Sequence, residues 1–249
     1  MIKIKTEKEV ELIRQACLVA VKVLGQLKEC LRAGISTAEL DIEAERLFKE
    51  LGATSAFRGY HGYPANICAS INEEVVHGIP GPRRLKEGDI ISMDVGAKLK
   101  GYFGDVAWTF PVGQISENAS KLLQTAQEAL TCGINQAREN NHLLDISSAI
   151  QSCVECSGYS VVRKFVGHGI GSKMHEEPEI PNFGVPGAGP VLKSGMVLAI
   201  EPMVNEGDFA VEILEDKWTA VTKDGRLAAH FEHTICVTED GPEILTAWG

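Results

Sequence analysis

From Val10 onward, apolar residues recur at helical spacing (Val10, Ile13, Ala16, Leu18, Val21, Leu24), the pattern of a helix with one buried face. Thr6 followed by Glu9 is a capping-box signature at its start, and Gly34 is expected to break it. Ser36 and Glu39 repeat the capping box and open a second helix that ends near Leu51 and Gly52. The texture then changes to short β-type runs at 66–71, 89–95 and 102–112. The succession repeats, with helices over 117–139 and roughly 145–157, then β-type runs at 160–166, 196–204, 210–222 and 229–238. Pro and Gly cluster at 181–190, which reads as an ordered loop between strands. The pattern predicts an α/β (α+β) chain: one domain spanning 1–249 in two halves, about 1–112 and 113–249, each with two helices followed by antiparallel strands.

The strands also echo one another. Gly88-Asp-Ile-Ile-Ser-Met-Asp94 in the first half answers Gly195-Met-Val-Leu-Ala-Ile-Glu201 in the second. Each apolar run delivers a carboxylate six residues after a glycine. A further acid then leads another strand: Asp105 before Val106-Ala-Trp-Thr-Phe, and Glu232 before His233-Thr-Ile-Cys-Val. Acids are almost never fully buried unless paired or metal-bound. An edge position or an arginine partner would explain either strand-ending acid alone. If the two halves pack as a pseudo-symmetric pair, however, the four carboxylates converge, and four like charges cannot stay ionised together without a counter-charge. Two divalent cations would neutralise them.

Composition narrows the field. With 249 residues, 44% of them hydrophobic, the chain can bury a large core. The net charge of -10 argues against unspecific nucleic-acid binding, which needs a positive surface to displace counterions from phosphates. Seven scattered cysteines (Cys17, Cys30, Cys68, Cys132, Cys153, Cys156, Cys236) do not form the dense, even pattern of a disulfide scaffold. Cys153 and Cys156 make an isolated CxxC without a second pair nearby in sequence, so reduced thiols are expected. No signal-peptide core or long apolar run is present, which predicts a cytoplasmic protein with no membrane partner.

His168, within Gly167-His-Gly-Ile-Gly171, is the fifth candidate ligand. A single imidazole among carboxylates suits manganese, iron, cobalt or zinc. A lone histidine is more often a hydrogen-bonded structural residue, but its glycine flanks allow close backbone approach. The same glycines could be read as a phosphate-cradling loop, yet position 172 is Ser and the local order is strand–loop–strand, so the dinucleotide pattern fails.

The order Asp94, Asp105, His168, Glu201, Glu232, with Asn72-Glu-Glu-Val-Val-His77-Gly-Ile-Pro, His175-Glu-Glu-Pro and Phe231-Glu-His-Thr around it, resembles the methionine aminopeptidases over essentially the whole chain. The resemblance implies the pita-bread fold, in which pseudo-twofold duplicated helices pack on a curved antiparallel sheet. It points to the short, bacterial-like type I branch. The ligands begin too near the N-terminus for the added domain of prolidases and aminopeptidase P. The interval from Glu201 to Glu232 is too short for the type II helical insertion.

By that resemblance Asp105 and Glu232 would bridge two divalent ions (manganese, iron, cobalt or zinc), Asp94 would chelate one of them, and His168 with Glu201 would complete the other. Glu201 would accept a proton from the attacking water, His175 would sit over the scissile amide, and His77 would meet the substrate backbone or leaving nitrogen. Tyr60, Tyr63, Cys68, Met174 and Trp218 would line the methionine pocket, Met174 standing where relatives often carry an aromatic residue. The implied activity is removal of N-terminal methionine from nascent chains and peptides with a small second residue, by a monomer. The alternatives are a prolidase-like Xaa-Pro peptidase and a non-enzymatic binding protein of the same fold. Some relatives carry a basic loop before the pocket tryptophan. Here Asp208, Glu212, Glu215 and Asp216 outnumber one lysine in 208–217, which argues against ribosome docking and direct nucleic-acid binding through that segment.

Overall fold

The computed structural model describes residues 2–247; Met1, Trp248 and Gly249, which fall inside the predicted domain bounds, lie outside the described residues. Both capping boxes form. Thr6 and Ser36 each accept from the backbone of Glu9 and Glu39, whose carboxylates reach back to the capping backbone. They open α1 (Glu7–Cys30) and α2 (Thr37–Glu50). The strands β1 (Thr54–Ser55), β2 (Cys68–Ile71), β3 (Glu74–Val76), β4 (Ile90–Leu99) and β5 (Tyr102–Pro111) complete the first half. The second begins with α3 (Glu117–Gln136) and α4 (Leu143–Cys156). It continues through β6 (Ser160–Val161), β7 (Val166–Gly169), β8 (Glu176–Pro181), β9 (Val197–Ile200) and β10 (Met203–Asn205). It ends with β11 (Val211–Ile213), β12 (Ala220–Thr222), β13 (Ala228–His230), β14 (His233–Thr238) and β15 (Gly241–Ile244). This is the pita-bread arrangement of helices and antiparallel sheets.

Two larger sheets carry the architecture. In one, β4 is bordered by β5 on one side and by β1 and β2 on the other; the second runs β15-β14-β9-β7-β8, and every pairing is antiparallel. β4 and β5 meet in a hairpin whose two turn residues, Lys100 and Gly101, both have positive φ (50° and 85°). Such a turn matches the right-handed twist of the flanking strands.

Alternation along the strands sorts chemistry from core. On β4, Ile91, Met93, Val95 and Ala97 join the apolar cluster beneath α1 and α2, so Ser92, Asp94 and Gly96 face the other way. On β5, Val106 and Phe110 join the same cluster, leaving Asp105, Ala107 and Thr109 on the face that carries Asp94. In the second half α3 and α4 cover Leu198 and Ile200 of β9 and Ile235 and Val237 of β14. The buried stripe of α1 runs Ile13, Ala16, Cys17, Ala20, Val23, Leu24 and Leu27, whereas Leu18, expected in it, is 45% exposed. Gly104 of β5 lets α1 sit directly on the strand, because a Cβ there would come within 2.4 Å of Cys17 N and 2.6 Å of its Cα. Backbone cannot yield as a side chain does, so Gly104→Ala should destabilise the protein by about 3 kcal/mol; chemical denaturation checks it, and an unchanged midpoint would contradict the packing argument.

Candidate active site

The carboxylates arrive from both sheets. Asp94 is paired across the β4–β5 ladder with Ala107, and Asp105 with Gly96, so the two acids are diagonal neighbours on one face. Glu201 follows β9 and Glu232 precedes β14, strands whose last registered pair is Ile200 with His233. β7 adds His168, registered with Ala199. Cross-links hold the halves together here. Glu232 N donates to Ala107 O (2.8 Å), Thr234 Oγ1 donates to Asp105 O (2.8 Å), and Thr109 Oγ1 donates to His230 O (2.8 Å). The glycines around His168 serve close packing: a Cβ at Gly167 would lie 2.5 Å from Ala199 O, and one at Gly169 would lie 2.3 Å from Glu177 O.

The donor atoms of Asp105, His168 and Glu232 all lie within 4.8 Å of one another. His168 Nε2 is 3.6 Å from Glu201 Oε1 and 3.8 Å from Asp105 Oδ2. Among the described residues no lysine or arginine pairs with any of the four acids. Burial, with the neighbouring carboxylates, pushes Asp94, Glu201 and Glu232 well above the usual carboxylate range, and burial raises Asp105 to about 7. Asp94 Oδ1, Asp105 Oδ1 and Glu232 Oε1 are buried without a hydrogen-bond partner.

The tautomer of His168 settles what this cluster suits. Its Nδ1 lies 2.9 Å from Gly169 O, which can only accept, so Nδ1 carries the proton and Nε2 a lone pair. Burial drives the ring's pKa down to about 3, so it is neutral. A lone pair thus faces carboxylate oxygens, an arrangement relieved when a carboxyl proton or a metal cation sits between them. Two buried and two half-buried carboxylates with one neutral imidazole fit divalent metal ions.

A cavity of about 470 Å³ opens beside these acids, and Tyr60, Tyr63, Cys68, His77, His175 and Trp218 line it with them. The family model of metallopeptidase family M24 matches residues 11–239, spanning every one of these groups. The chain belongs to metallopeptidase family M24. It is 54% identical to methionine aminopeptidase 1 of Bacillus subtilis and 53% identical to the methionine aminopeptidase of Clostridium perfringens, over 99% of each chain. The crystal structure of the Thermotoga maritima methionine aminopeptidase matches with a TM-score of 0.98 at 46% identity, covering 100% of both chains.

Within this M24 site the histidines are held in defined states. Tyr60 Oη lies 2.7 Å from His175 Nδ1. Burial lowers the pKa of His175 and takes that of His77 to about 4, so both are neutral. His77 adopts a left-handed φ of 62° and packs edge-on against Phe165. The Tyr63 hydroxyl donates to the Gly78 or Ile67 carbonyl (3.0 and 3.1 Å), and its ring meets Trp218 edge-on. Asp216 accepts from Trp218 N and Thr219 N at 2.8 Å, so one acid of the 208–217 segment builds the turn that presents the tryptophan.

Met174 departs from expectation. It is 1% exposed and packs in the apolar cluster with Tyr63, Cys68 and Trp218, behind the side chains that face the cavity. Sequence reasoning missed Phe57, Phe165, Val76 and Met203, which also line the cavity, and it missed His230. The Nε2 of His230 is 3.5 Å from Glu201 Oε2 in a buried position. A signal was available: His230 lies two residues before Glu232, the spacing that puts side chains on one face of an extended chain. No helix among the described residues is long and apolar enough to cross a membrane.

Proposed function

We propose that this chain removes N-terminal methionine from peptides and newly made proteins whose second residue is small, and that it works as one catalytic unit built from halves 1–112 and 113–249. The observation that carries the reading is the junction of an aromatic, mostly apolar cavity with the buried Asp105–His168–Glu232 group, beside which Asp94 and Glu201 also line the wall. A thioether side chain fills such a cavity well. The cluster in turn fixes where the peptide bond must lie.

Asp94, Asp105, His168, Glu201 and Glu232 are the residues that would hold two divalent ions at the edge of the cavity. When bound, those ions supply Lewis acidity toward water and the substrate carbonyl. The protein's own groups do the rest. Glu201 holds a carboxylate oxygen ready to take the proton of the attacking water. Tyr60 Oη, 2.7 Å from Nδ1, can donate to it, the arrangement that leaves the His175 proton on Nε2 to donate to the oxygen that gains charge. His77, neutral and held by Phe165, stands on the cavity wall within reach of the substrate amide. The adjoining aromatic walls limit the second residue by size.

The test is a panel of Met-Ala-Ser, Met-Leu-Ser and Ala-Pro-Ser peptides offered to metal-stripped protein before and after addition of Mn²⁺, Fe²⁺ or Co²⁺. Metal-restored release of free methionine from Met-Ala-Ser alone is expected. Cleavage of the Xaa-Pro peptide in its place would move the chain to the prolidase-like reading, and no turnover with any ion would support a binding role.

A further inference from the structure

A buried ion pair adjoins His175 in the chain. His175 ends the irregular segment between β7 and β8, and that segment is fastened from two sides. At its start, Phe103 N of β5 donates to Gly171 O (2.9 Å). At its end, the Glu176 carboxylate turns back on the segment, where Oε1 accepts from Ser172 Oγ (3.2 Å) and Lys173 N (3.1 Å). The second oxygen, Oε2, lies 3.1 Å from Lys5 Nζ, and both side chains are 5% exposed. No aligned hydrogen bond accompanies that contact, so charge holds it. Lys5 is itself anchored. Its N donates to Gly195 O (2.8 Å), and Gly195 N donates to Val237 O (2.9 Å), which ties the stretch before α1 to β14. Two glycines leave room for the lysine: a Cβ at Gly195 would lie 2.8 Å from Lys5 O, and one at Gly171 would lie 2.9 Å from Lys5 Cε. Burial alone would raise the Glu176 carboxyl, but Lys5 and the segment's own donors overcome it and hold the acid below the usual carboxylate range.

We infer that Lys5 is a positioning residue for the reaction: through Glu176 it fixes the chain at His175, so that the ring keeps its contact with Tyr60 Oη on the cavity wall. The inference rests on the proposed role of His175. Lys5 does not line the cavity, so it acts only through its partner. A buried ion pair adds little net stability, because desolvating both charges offsets their attraction. Its use here is to give an irregular segment one arrangement. Stripped of the lysine charge, Glu176 would take up a proton or turn toward solvent. Either change loosens its hold on Ser172 and Lys173 and frees the backbone that carries His175.

The test reads the two ring nitrogens of His175 by NMR in the Zn²⁺-loaded chain and follows Met-Ala-Ser hydrolysis with Mn²⁺. The parent should show one tautomer, with Nδ1 accepting and Nε2 protonated. Lys5→Met keeps the stem and deletes the charge. It should give mixed or broadened His175 signals, and kcat about 10- to 100-fold lower with KM within about twofold, the scale of a misplaced catalytic group. Zn²⁺ affinity should stay at the parent value, since Lys5 touches no ligand. Glu176→Gln should lose as much, and the double variant no more than either single one, because the two side chains act as a unit. In a His175→Ala background Lys5→Met should cost nothing further. Lys3→Met, at an exposed position two residues earlier, should match the parent. Should Lys5→Met fail to fold, Glu176→Gln, which keeps an oxygen for Ser172 and Lys173, gives the same readouts. A His175 spectrum unchanged in the variants, or a kcat loss that adds fully to that of His175→Ala, overturns the assignment whatever the melting temperature does. A parent that releases no methionine would overturn the peptidase reading instead, and the nitrogen spectrum would still decide whether Lys5 holds the ring.

Discussion

Glu201→Gln should yield a folded protein that still takes up divalent metal but hydrolyses Met-Ala-Ser about 10³-fold more slowly, the scale of a lost general base. The amide is nearly isosteric with the carboxylate, so the cavity keeps its shape, yet it accepts no proton from water. The substitution also removes one of four mutually repelling acids, so the metal-free variant should melt no lower than the parent. Free-methionine release at saturating metal, alongside calorimetric metal titration, separates the two roles of this side chain. Full metal occupancy with kcat within about tenfold of the parent would transfer the proton-accepting role elsewhere. His230, 3.5 Å from the other carboxylate oxygen, would be the first group to consider.

The second large effect concerns stability. Ions that bind only the folded state at about a thousandfold above their dissociation constant stabilise it by about 4 kcal/mol, so chelation should lower Tm by roughly 10 °C in a chain of this size. The chelated protein should also respond to pH in a particular direction. Asp105 moves from an ordinary 3.8 to about 7 on folding, so between those limits the folded state binds the proton more tightly than the unfolded state. Stability is then greatest below the lower value and is lost as pH rises through the upper one, by up to about 1.4 kcal/mol per pH unit from this group. Other carboxylates oppose the trend, so the clean observable is the difference between chelated parent and chelated Asp105→Asn at each pH. That difference should widen from acid to neutral pH in favour of the variant. A difference that stays flat would mean the acids are not held together as described.

Much of this was legible in the chain because its strongest signals are local. The capping boxes at Thr6 and Ser36 and the apolar periodicity place all four helices to within a few residues. The matched acids of 88–94 and 195–201 mark the two sheets that meet. Less legible were elements whose reason for existing is tertiary. β7 reads Val-Gly-His-Gly, and the pattern predicts strand only as far as Val166 with a glycine loop beyond it; its glycines are there because neighbouring carbonyls leave no room for a Cβ. β8 reads Glu-Glu-Pro-Glu-Ile-Pro, with acids and prolines that locally oppose a strand, and it survives at a sheet edge, where proline is tolerated. Met174 and His230 show the same limit for the site. Membership in the lining depends on which side of a side-chain layer a residue occupies, and residue type does not reveal that.

The split origin of the ligands bears on how the chain could be divided. A break in the short connection between β5 and α3 would leave Asp94 and Asp105 on one fragment and His168, Glu201 and Glu232 on the other. Neither fragment alone would carry all five residues proposed to hold the divalent ions. Co-expressed, the two would reassociate through the strand contacts at Ala107 and Thr234, with the divalent ions serving as the rivet. Such a split enzyme would report divalent metal as recovered hydrolysis, its dissociation midpoint set by the free metal concentration.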